Sequence, residues 1–309
     1  MVAGPDTSLT CPPARRPTCV FVGLGSWGRR MVPRVARVFD IVAMVNKGGS
    51  ESTAWHAERY CEVPLFTNLD HALSRRPVDA VFIATPTPTH AALACRALDA
   101  GCHVFVEKPL ALAPGEAART VSLAERNGLE LFIGYIYLFH PGFRFLRDLS
   151  RTNPIRSLRF EWIRPRLSGS LHGELLCHDL AVTIGLTDEL PERIITLRAS
   201  ERSLHCQAYL TSQCSYESII ELRDATKYRS VTAVYDDGAT YVWQNDTVYS
   251  LANPGVDLLG EPDTEDPLSQ EIAAFLSAIW SGRRIPADRR FSVGIAERLS
   301  EVDRSTTPP

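Results

Sequence analysis

The stretch "TCVFVGLGSWGRR", residues 18–30, joins an apolar strand to a glycine-rich turn and the start of a helix. Gly23, Gly25 and Gly28 have the G-x-G-x-x-G spacing of a dinucleotide-binding turn. We expect Gly23 to permit the tight turn, Gly25 to let the backbone approach a pyrophosphate, and Gly28 to allow close helix packing. The unpaired N–H groups at the helix start favour bound phosphate. The cofactor-binding residues predicted in this turn are Gly23, Gly25, Ser26, Trp27 and Gly28.

The same strand-helix alternation continues through residues 17–139, with apolar strands such as "IVAMVN", "DAVFIATP" and "CHVFVEKP". It predicts an α/β fold, in which this segment is a Rossmann domain with a doubly wound parallel sheet. Residues 140–309 contain mostly alternating strands, and "VYDDGATYV" has the Asp-Gly signal of a hairpin. They predict a C-terminal α+β domain with a mostly antiparallel sheet, which binds substrate and forms the oligomer. Residues 1–16 lack periodicity and are expected to form a disordered tail.

Composition excludes several classes of protein. The 309 residues are 45% hydrophobic and 22% charged, as in an ordinary globular protein of about two domains. The net charge of -3 and the dispersed arginines argue against a nucleic-acid partner. No apolar run is long enough to cross a bilayer, so we expect a cytoplasmic protein with no membrane partner. Cysteines lack zinc-type spacing, and neighbours in "CHD", residues 177–179, point in different directions, so no metal site is predicted.

The end of the second predicted strand bears on the choice of cofactor. Asn46 and Lys47 stand where an aspartate or glutamate would normally bind a free ribose 2'-hydroxyl. A carboxylate there would repel a 2'-phosphate, whereas an amide beside an ammonium binds and neutralises it. These two residues therefore favour NADP over NAD, although Lys47 is also compatible with an ordinary solvated loop.

Two further motifs carry a resemblance to a known family. Residues 84–90 read A-T-P-x-x-x-H, and residues 101–109 read G-x-H-V-x-x-E-K-P. With the glycine turn and the later antiparallel region, they resemble the Gfo/Idh/MocA oxidoreductases, named for glucose-fructose oxidoreductase and inositol dehydrogenase. The resemblance implies that Lys108 holds the substrate oxygen that gains or loses the hydride, and lowers the cost of alkoxide character. The cofactor contacts that it implies are Thr85, Pro86, His90 and Glu107. Glu107 is also expected to orient the strand end by pairing with a nearby group.

The family's second chemical element is an aspartate four residues before a histidine, on a helix facing the nicotinamide. Glu174 and His178 match this spacing, with glutamate in place of aspartate. On an α-helix the two side chains share one face, and an imidazole there exchanges a proton with the substrate oxygen. The carboxylate's role is left open because glutamate is longer. Weaker substrate-binding candidates, for which domain-junction packing or a solvated surface is an equal alternative, are Tyr135, Tyr137, His140, Arg164 and Arg166.

The resemblance implies an NAD(P)-dependent oxidoreductase acting on a carbonyl or hydroxyl carbon of a small polar substrate. We expect reduction of a keto-sugar or related metabolite, in a biosynthetic role. A cyclic imine reductase and a non-catalytic dinucleotide-binding regulator of the same fold are the alternatives. We also expect a homodimer or homotetramer formed through the C-terminal sheet, because an uncovered sheet face carrying large aromatics would otherwise meet water. The aromatic residues considered are Phe160, Trp162, Tyr235, Tyr241 and Trp243.

Overall fold

The N-terminal sheet is parallel and has the predicted doubly wound order. The structure is a computed structural model that describes residues 15–167, 169–260, 265–281 and 289–306. Within these residues, six parallel strands pair in the order β3-β2-β1-β4-β5-β6. They are β1 Thr18–Val22, β2 Asp40–Val45, β3 Leu65–Phe66, β4 Ala80–Ile83, β5 His103–Glu107 and β6 Leu131–Gly134. The order reverses between β1 and β4, so a ligand crevice is expected at their carboxyl ends.

Helices cover both faces of this sheet, which explains why its central strands are almost uniformly apolar. Strand β4 is completely buried, and Phe82 within it stacks on Phe105 of β5. The helices of this half are α1 Ser26–Val38, α2 Ser50–Arg59, α3 Leu69–Leu73, α4 His90–Asp99 and α5 Pro114–Asn127. A 3-10 turn, Ile136–Phe139, and α6 Pro141–Ser150 then lead into the second half.

The second sheet is mostly antiparallel, as predicted. In the described residues it has seven strands in the order β13-β12-β11-β7-β10-β9-β8, and only the pair of β7 and β10 is parallel. Its strands are β7 Ile155–Arg164, β8 Ile195–Ser200, β9 Ser203–Tyr209, β10 Ser215–Leu222, β11 Tyr228–Tyr235, β12 Thr240–Gln244 and β13 Thr247–Ser250. A π-helical segment, His172–Leu176, continues into α7 Cys177–Thr187, and α7 packs against one face of the sheet.

The aromatic residues of this sheet correct one expectation. Strand alternation in the sequence leaves open which of the five point outward, and in the structure all five point toward the helices. Phe160, Trp162, Tyr235 and Trp243 are at most 2% exposed, and Tyr241 packs on Phe145 of α6. Because side chains alternate along a strand, the opposite face carries their polar neighbours.

The last two helices return to the first half of the chain. In α8, Pro267–Ser281, the ring centre of Phe275 lies within 6 Å of the ring centres of Phe82, Phe105 and Phe132. Helix α9, Arg289–Thr306, packs against α5. Because α8 also contacts α1 and α9 also contacts α7, these two helices connect the two halves of the chain. The domain division between residues 139 and 140 stays a prediction.

Two sequence expectations concern the chain's start and its membrane partners. Residues 1–14 of the predicted tail lie outside the described residues, whereas Arg15 donates two hydrogen bonds of 2.9 Å to Asp79. Among the described residues, no helix combines the length and the apolar character needed to span a bilayer.

Candidate active site

The glycine turn forms a cradle that fits a pyrophosphate. Gly23 has φ +100°, and a Cβ there would clash with the carbonyl oxygen of Ala84. A Cβ on Gly28 would clash with the carbonyl oxygen of Gly23, so α1 packs closely on the turn. At Gly25 an added Cβ would meet no described atom within 4 Å, and no side chain caps the helix there. Open space in front of free N–H groups is what an anionic phosphate requires.

Asn46 connects this turn to the loop after β2. Its Oδ1 accepts a hydrogen bond from the Leu24 amide at 3.1 Å, and its Nδ2 donates to the Gly48 carbonyl at 2.8 Å. Both ends of the amide are therefore engaged within the protein, whereas Lys47 is exposed. Lys47 is thus the exposed cation of this loop.

The loop after β4 is supported by His90. The imidazole is 1% exposed, and its nitrogens lie 2.7 Å from the Thr85 carbonyl and 2.8 Å from the Pro109 carbonyl. Burial lowers the pKa of His90. His90 therefore has no free ring nitrogen for a cofactor, and it instead fixes the loop of Thr85 and Pro86 against the end of β5. Thr85 Oγ1 lies 2.7 Å from Thr89 Oγ1.

Glu107 connects the end of β5 to the glycine turn. Its Oε1 accepts a hydrogen bond from Trp27 Nε1 at 2.5 Å. Burial raises the pKa of Glu107 to about 7, against the opposing effects of Trp27 and Lys108. Glu271 of α8 faces the same region; it is fully buried, and its pKa is raised far above the ordinary value by burial and by Glu107. Glu107 thus has the structural partner that was expected, and the partner is Trp27.

Lys108 extends from the strand end toward the π-helical segment. Its Nζ donates to the Glu174 carbonyl at 3.0 Å and lies 3.7 Å from Glu174 Oε2. Burial would lower the pKa of Lys108, but surrounding groups that include Cys177 and Glu174 raise it above its ordinary value. Lys108 is therefore an ammonium at neutral pH, with a neighbouring carboxylate and a backbone carbonyl.

His178 lies in the first turn of α7 among aromatic rings. Its ring centre is 4.7 Å from that of Tyr137 and 6.1 Å from that of Trp162. Burial, with the charges of Lys108, Arg229 and Arg164, places the pKa of His178 far below its usual value. Nδ1 has no hydrogen-bond partner among the described residues. His178 is thus a neutral imidazole.

The helix before His178 differs from the regular α-helix that the spacing predicted. Glu174 lies in the π-helical segment, where the Cys177 amide bonds to the His172 carbonyl five residues back. Short π-helical segments are frequent at functional sites. Asp179, next to His178, accepts hydrogen bonds from Trp162 Nε1 at 2.7 Å and Ser218 Oγ at 2.6 Å, which anchor α7 to the sheet.

A cleft of about 330 Å³ is lined by Tyr137, and His178 does not itself line it. Tyr137 reaches both regions, since its ring contacts His178 and also lines the cleft. The polar residues that line the cleft and bear on its chemistry are His140, Arg164, Lys227, Arg229 and Asp246.

Comparisons with known protein sequences show the family to which this chain belongs. A family model described as "Oxidoreductase family, NAD-binding Rossmann fold" (GFO_IDH_MocA) matches residues 18–135. The protein YceM of Salmonella typhimurium is 34% identical over 260 residues, which cover 82% of this chain and 79% of that protein. The chain belongs to the Gfo/Idh/MocA oxidoreductase family. UDP-N-acetylglucosamine 3-dehydrogenase of Acidithiobacillus ferrooxidans is 28% identical over 286 residues, 86% of this chain and 90% of that enzyme.

Solved structures agree on the Gfo/Idh/MocA fold. The A. ferrooxidans enzyme superposes with a TM-score of 0.79 at 23% identity, over 94% of this chain and 97% of that one. The structure of scyllo-inositol dehydrogenase from Lactobacillus casei with bound NAD(H) and scyllo-inositol gives 0.78 at 17% identity, with the same coverage. Because the family model is described as an NAD-binding oxidoreductase family, the chain is an oxidoreductase with a nicotinamide dinucleotide cofactor. The cradle at Gly25 has the open space that its pyrophosphate requires.

The structure brings together some of the residues predicted for a Gfo/Idh/MocA site and separates others. Tyr137, His140 and Arg164 line the cleft, and Tyr137 also contacts His178. Tyr135 is 2% exposed and does not line it, so its packing explanation is favoured. Arg166 is exposed on the loop beyond β7 and also lies outside the lining.

Sequence reasoning missed two cationic residues of the cleft, Lys227 and Arg229. Arg229 shares the inward face of β11 with Val231 and Ala233, both of which are buried. An arginine at an inward position of an alternating strand is a signal that the sequence contained.

The described residues contain no group of three or more candidate metal ligands.

Proposed function

We propose that the protein is an NADP-dependent oxidoreductase that acts on the keto or hydroxyl group of a sugar-like substrate, with reduction as its cellular direction. The carrying observation is that the ring of His178 packs against Tyr137, which lines the cleft, and that the charge of Lys108 acts on the same imidazole and lowers its pKa. Bound nicotinamide supplies or accepts the hydride at C4. The chain's own residues then act on the substrate oxygen.

Lys108 provides electrostatic stabilisation. Its ammonium is held in place by the Glu174 carbonyl and carboxylate, and little of it is exposed to water. A fixed positive charge in such surroundings stabilises the negative charge that develops on a substrate oxygen. Glu174 is a positioning residue in this scheme, because its backbone carbonyl and its carboxylate both hold the ammonium.

His178 handles the proton. As a neutral imidazole it accepts the hydroxyl proton during oxidation. For reduction it must first take up a proton, so its pKa has to rise once substrate is bound. The three cations that depress this pKa, Lys108, Arg229 and Arg164, are the groups whose charge a bound ligand would offset.

A sugar-like substrate is supported by the named activities of the relatives. One relative is UDP-N-acetylglucosamine 3-dehydrogenase. Another is dTDP-3,4-didehydro-2,6-dideoxy-alpha-D-glucose 3-reductase of Saccharopolyspora spinosa, 34% identical over 133 residues, 42% of this chain and 40% of that enzyme. We take the substrate class, and not the individual substrate, from these names.

The test is a panel assay that follows nicotinamide absorbance. The protein is incubated with NADPH and keto-sugars, and separately with NADP and the corresponding sugars. We expect turnover with at least one keto-sugar. Turnover with cyclic imines alone would replace the substrate class, and tight NADPH binding with no oxidation by either panel would indicate a regulator.

The preference for NADP has its own test at Lys47. Lys47→Asp places a carboxylate where the 2'-phosphate would lie, so the ratio of kcat/KM for NADP to that for NAD should fall at least tenfold. Lys47→Gln is the matched control, which removes the charge without adding repulsion, and its effect should be smaller. An unchanged ratio in both variants would make Lys47 a surface residue only.

A further inference from the structure

The cleft lined by Tyr137 carries a concentration of positive charge for which the proposed hydride and proton transfers give no anionic partner. Among the described residues, the cations that line it are Arg164, Lys227 and Arg229, here called the cation cleft. The carboxylate in this lining is Asp246, whose side chain is 95% exposed. Its neighbour His140 adds no positive charge at neutral pH, because burial and Arg229 lower the pKa of His140 to about 4.

Arg229 is the buried member of the cation cleft. It is 6% exposed, and its guanidinium lies 3.9 Å from the ring centre of Trp243 and 4.3 Å from that of Tyr137. It donates a hydrogen bond to the Asn245 carbonyl, and no carboxylate among the described residues forms an ion pair with it. Burial lowers the pKa of Arg229 to about 10. Asp246 and Asp179 act on the guanidinium only through space and raise its pKa, without an ion pair, so they and the aromatic rings offset only part of the cost of burial.

Arg164 adds a second unsatisfied donor on the same wall. Its guanidinium lies over the ring of Trp162 at 5.4 Å, and its Nε is buried with no hydrogen-bond partner among the described residues. Buried donors are normally paired, so an unpaired one next to a cleft indicates a missing acceptor. Lys227 is exposed on the rim, where an ammonium attracts an approaching anion.

We propose that the cation cleft binds an anionic group of the substrate, a phosphate or a carboxylate, and so directs the reacting end of the same molecule toward His178. The proposal rests on the proposed function for the identity of the bound molecule as substrate. An anionic oxygen accepts hydrogen bonds from Arg164 and Arg229 together and supplies the charge that these residues lack. Bound there, it also offsets two of the cations that keep His178 neutral.

The test is calorimetric titration of the NADPH-saturated protein with inorganic pyrophosphate, with glucuronate and with glucose. NADPH occupies the glycine turn, which removes that site from competition. We expect one of the two anions to bind and glucose not to bind. Pyrophosphate as the better ligand would indicate a sugar nucleotide, and glucuronate as the better ligand a sugar acid.

Variants assign the binding to the cleft. Arg164→Gln and Lys227→Gln should each weaken anion binding about tenfold, because each removes one charge contact. Arg223→Gln, on an exposed arginine that does not line the cleft, is the matched control and should leave affinity unchanged. Both variants avoid the buried Arg229, whose loss risks misfolding.

Equal anion affinity in the wild type and in both cleft variants, or no anion binding at all, would overturn the proposal. The titration requires no hydride transfer, so it separates the two claims. Anion binding that depends on the cleft, in a protein without turnover, would leave the cation cleft intact and refute the proposed function. Turnover of neutral sugars without anion binding would support the proposed function and refute the anion-binding role of the cation cleft.

Discussion

At the scale of single residues, Lys108 shows how an expensive group is retained at the end of a buried strand. Its side chain is 16% exposed, and removing an ammonium from water is costly. The Glu174 carbonyl and carboxylate offset that cost, and the net effect of the surrounding groups raises the pKa of Lys108. The charge is thereby kept at neutral pH, when it is needed to stabilise an alkoxide.

Gly25 offers a residue-scale prediction about cofactor binding. Gly25→Val should weaken NADPH binding at least tenfold, because the side chain would occupy the space in front of the helix N-terminus. The fold should survive, since an added Cβ meets no described atom within 4 Å and the backbone there has φ -67°. Fluorescence titration measures the affinity.

The matched control for this substitution is Gly115→Val, on an exposed glycine of α5 where an added Cβ is equally unobstructed. It should leave NADPH affinity unchanged. Wild-type affinity in Gly25→Val would remove the pyrophosphate from this turn.

The sequence was informative about residues whose role is local. Gly23 and Gly28 act within one turn, and their spacing alone predicts a tight turn at Gly23 and close helix packing at Gly28. The structure adds that Gly23 has a positive φ and that a Cβ on Gly28 would clash with its carbonyl oxygen. Arg229 depends on Tyr137 and Trp243, which come from other elements. Its role could not be predicted without the register of β11 in the sheet.

At the scale of elements, α8 brings a second carboxyl group to the buried Glu107. Both oxygens of Glu271 lack a hydrogen-bond partner among the described residues. Because the folded-state pKa of Glu271 is raised, the folded protein keeps a proton that the unfolded chain releases above about pH 4.5. The contribution of the protonated Glu271 to the free energy of unfolding is therefore complete below about pH 4.5. It declines as the pH rises from there toward the folded-state pKa of Glu271.

Glu271→Gln should remove this pH dependence. We expect the variant to match the wild type near pH 4.5 and to exceed its free energy of unfolding at pH 8 by about 1 kcal/mol or more. Urea denaturation at the two pH values measures this difference. Glu201→Gln, on an exposed turn, is the control and should follow the wild type at both. An equal loss of stability at both pH values would mean that the Glu271 carboxylate is favourably bound.

Helices and strands could be predicted where the periodicity of apolar residues decides between them. The α8 sequence has the apolar face of an amphipathic helix, but its docking on the first sheet through Phe275 joins residues far apart in the chain. The π-helical segment at Glu174 could not be read from a four-residue spacing, since that spacing is equally compatible with a regular α-helix.

At the scale of the whole molecule, the uncovered face of the second sheet remains the predicted subunit interface. Its centre is polar, with Arg159 bonded to Glu217 and Glu217 bonded to His205. Toward the β8 edge it carries Ile195 and Tyr209, which are 52% and 68% exposed. A face with an apolar edge and a charged centre is compatible with a symmetric contact.

Light scattering at low concentration should give the mass of a dimer or a tetramer. Tyr209→Asp should shift the protein toward the monomer, because it places a charge in the apolar edge of the contact. Trp280→Asp, on the exposed side of α8, is the control and should not. A wild-type monomer would contradict the predicted interface.

The most direct test of the account is single-turnover hydride transfer, measured beside NADPH binding, for Lys108→Ala and His178→Ala once a substrate is in hand. Lys108→Ala should slow transfer about a hundredfold or more, because the developing alkoxide loses its positive charge. His178→Ala should slow it about a hundredfold to ten thousandfold and flatten the pH profile, since water replaces the imidazole only in part. NADPH affinity should stay near the wild-type value in both. Near-normal transfer in both variants would contradict the assignment of Lys108 and His178 to the chemical step.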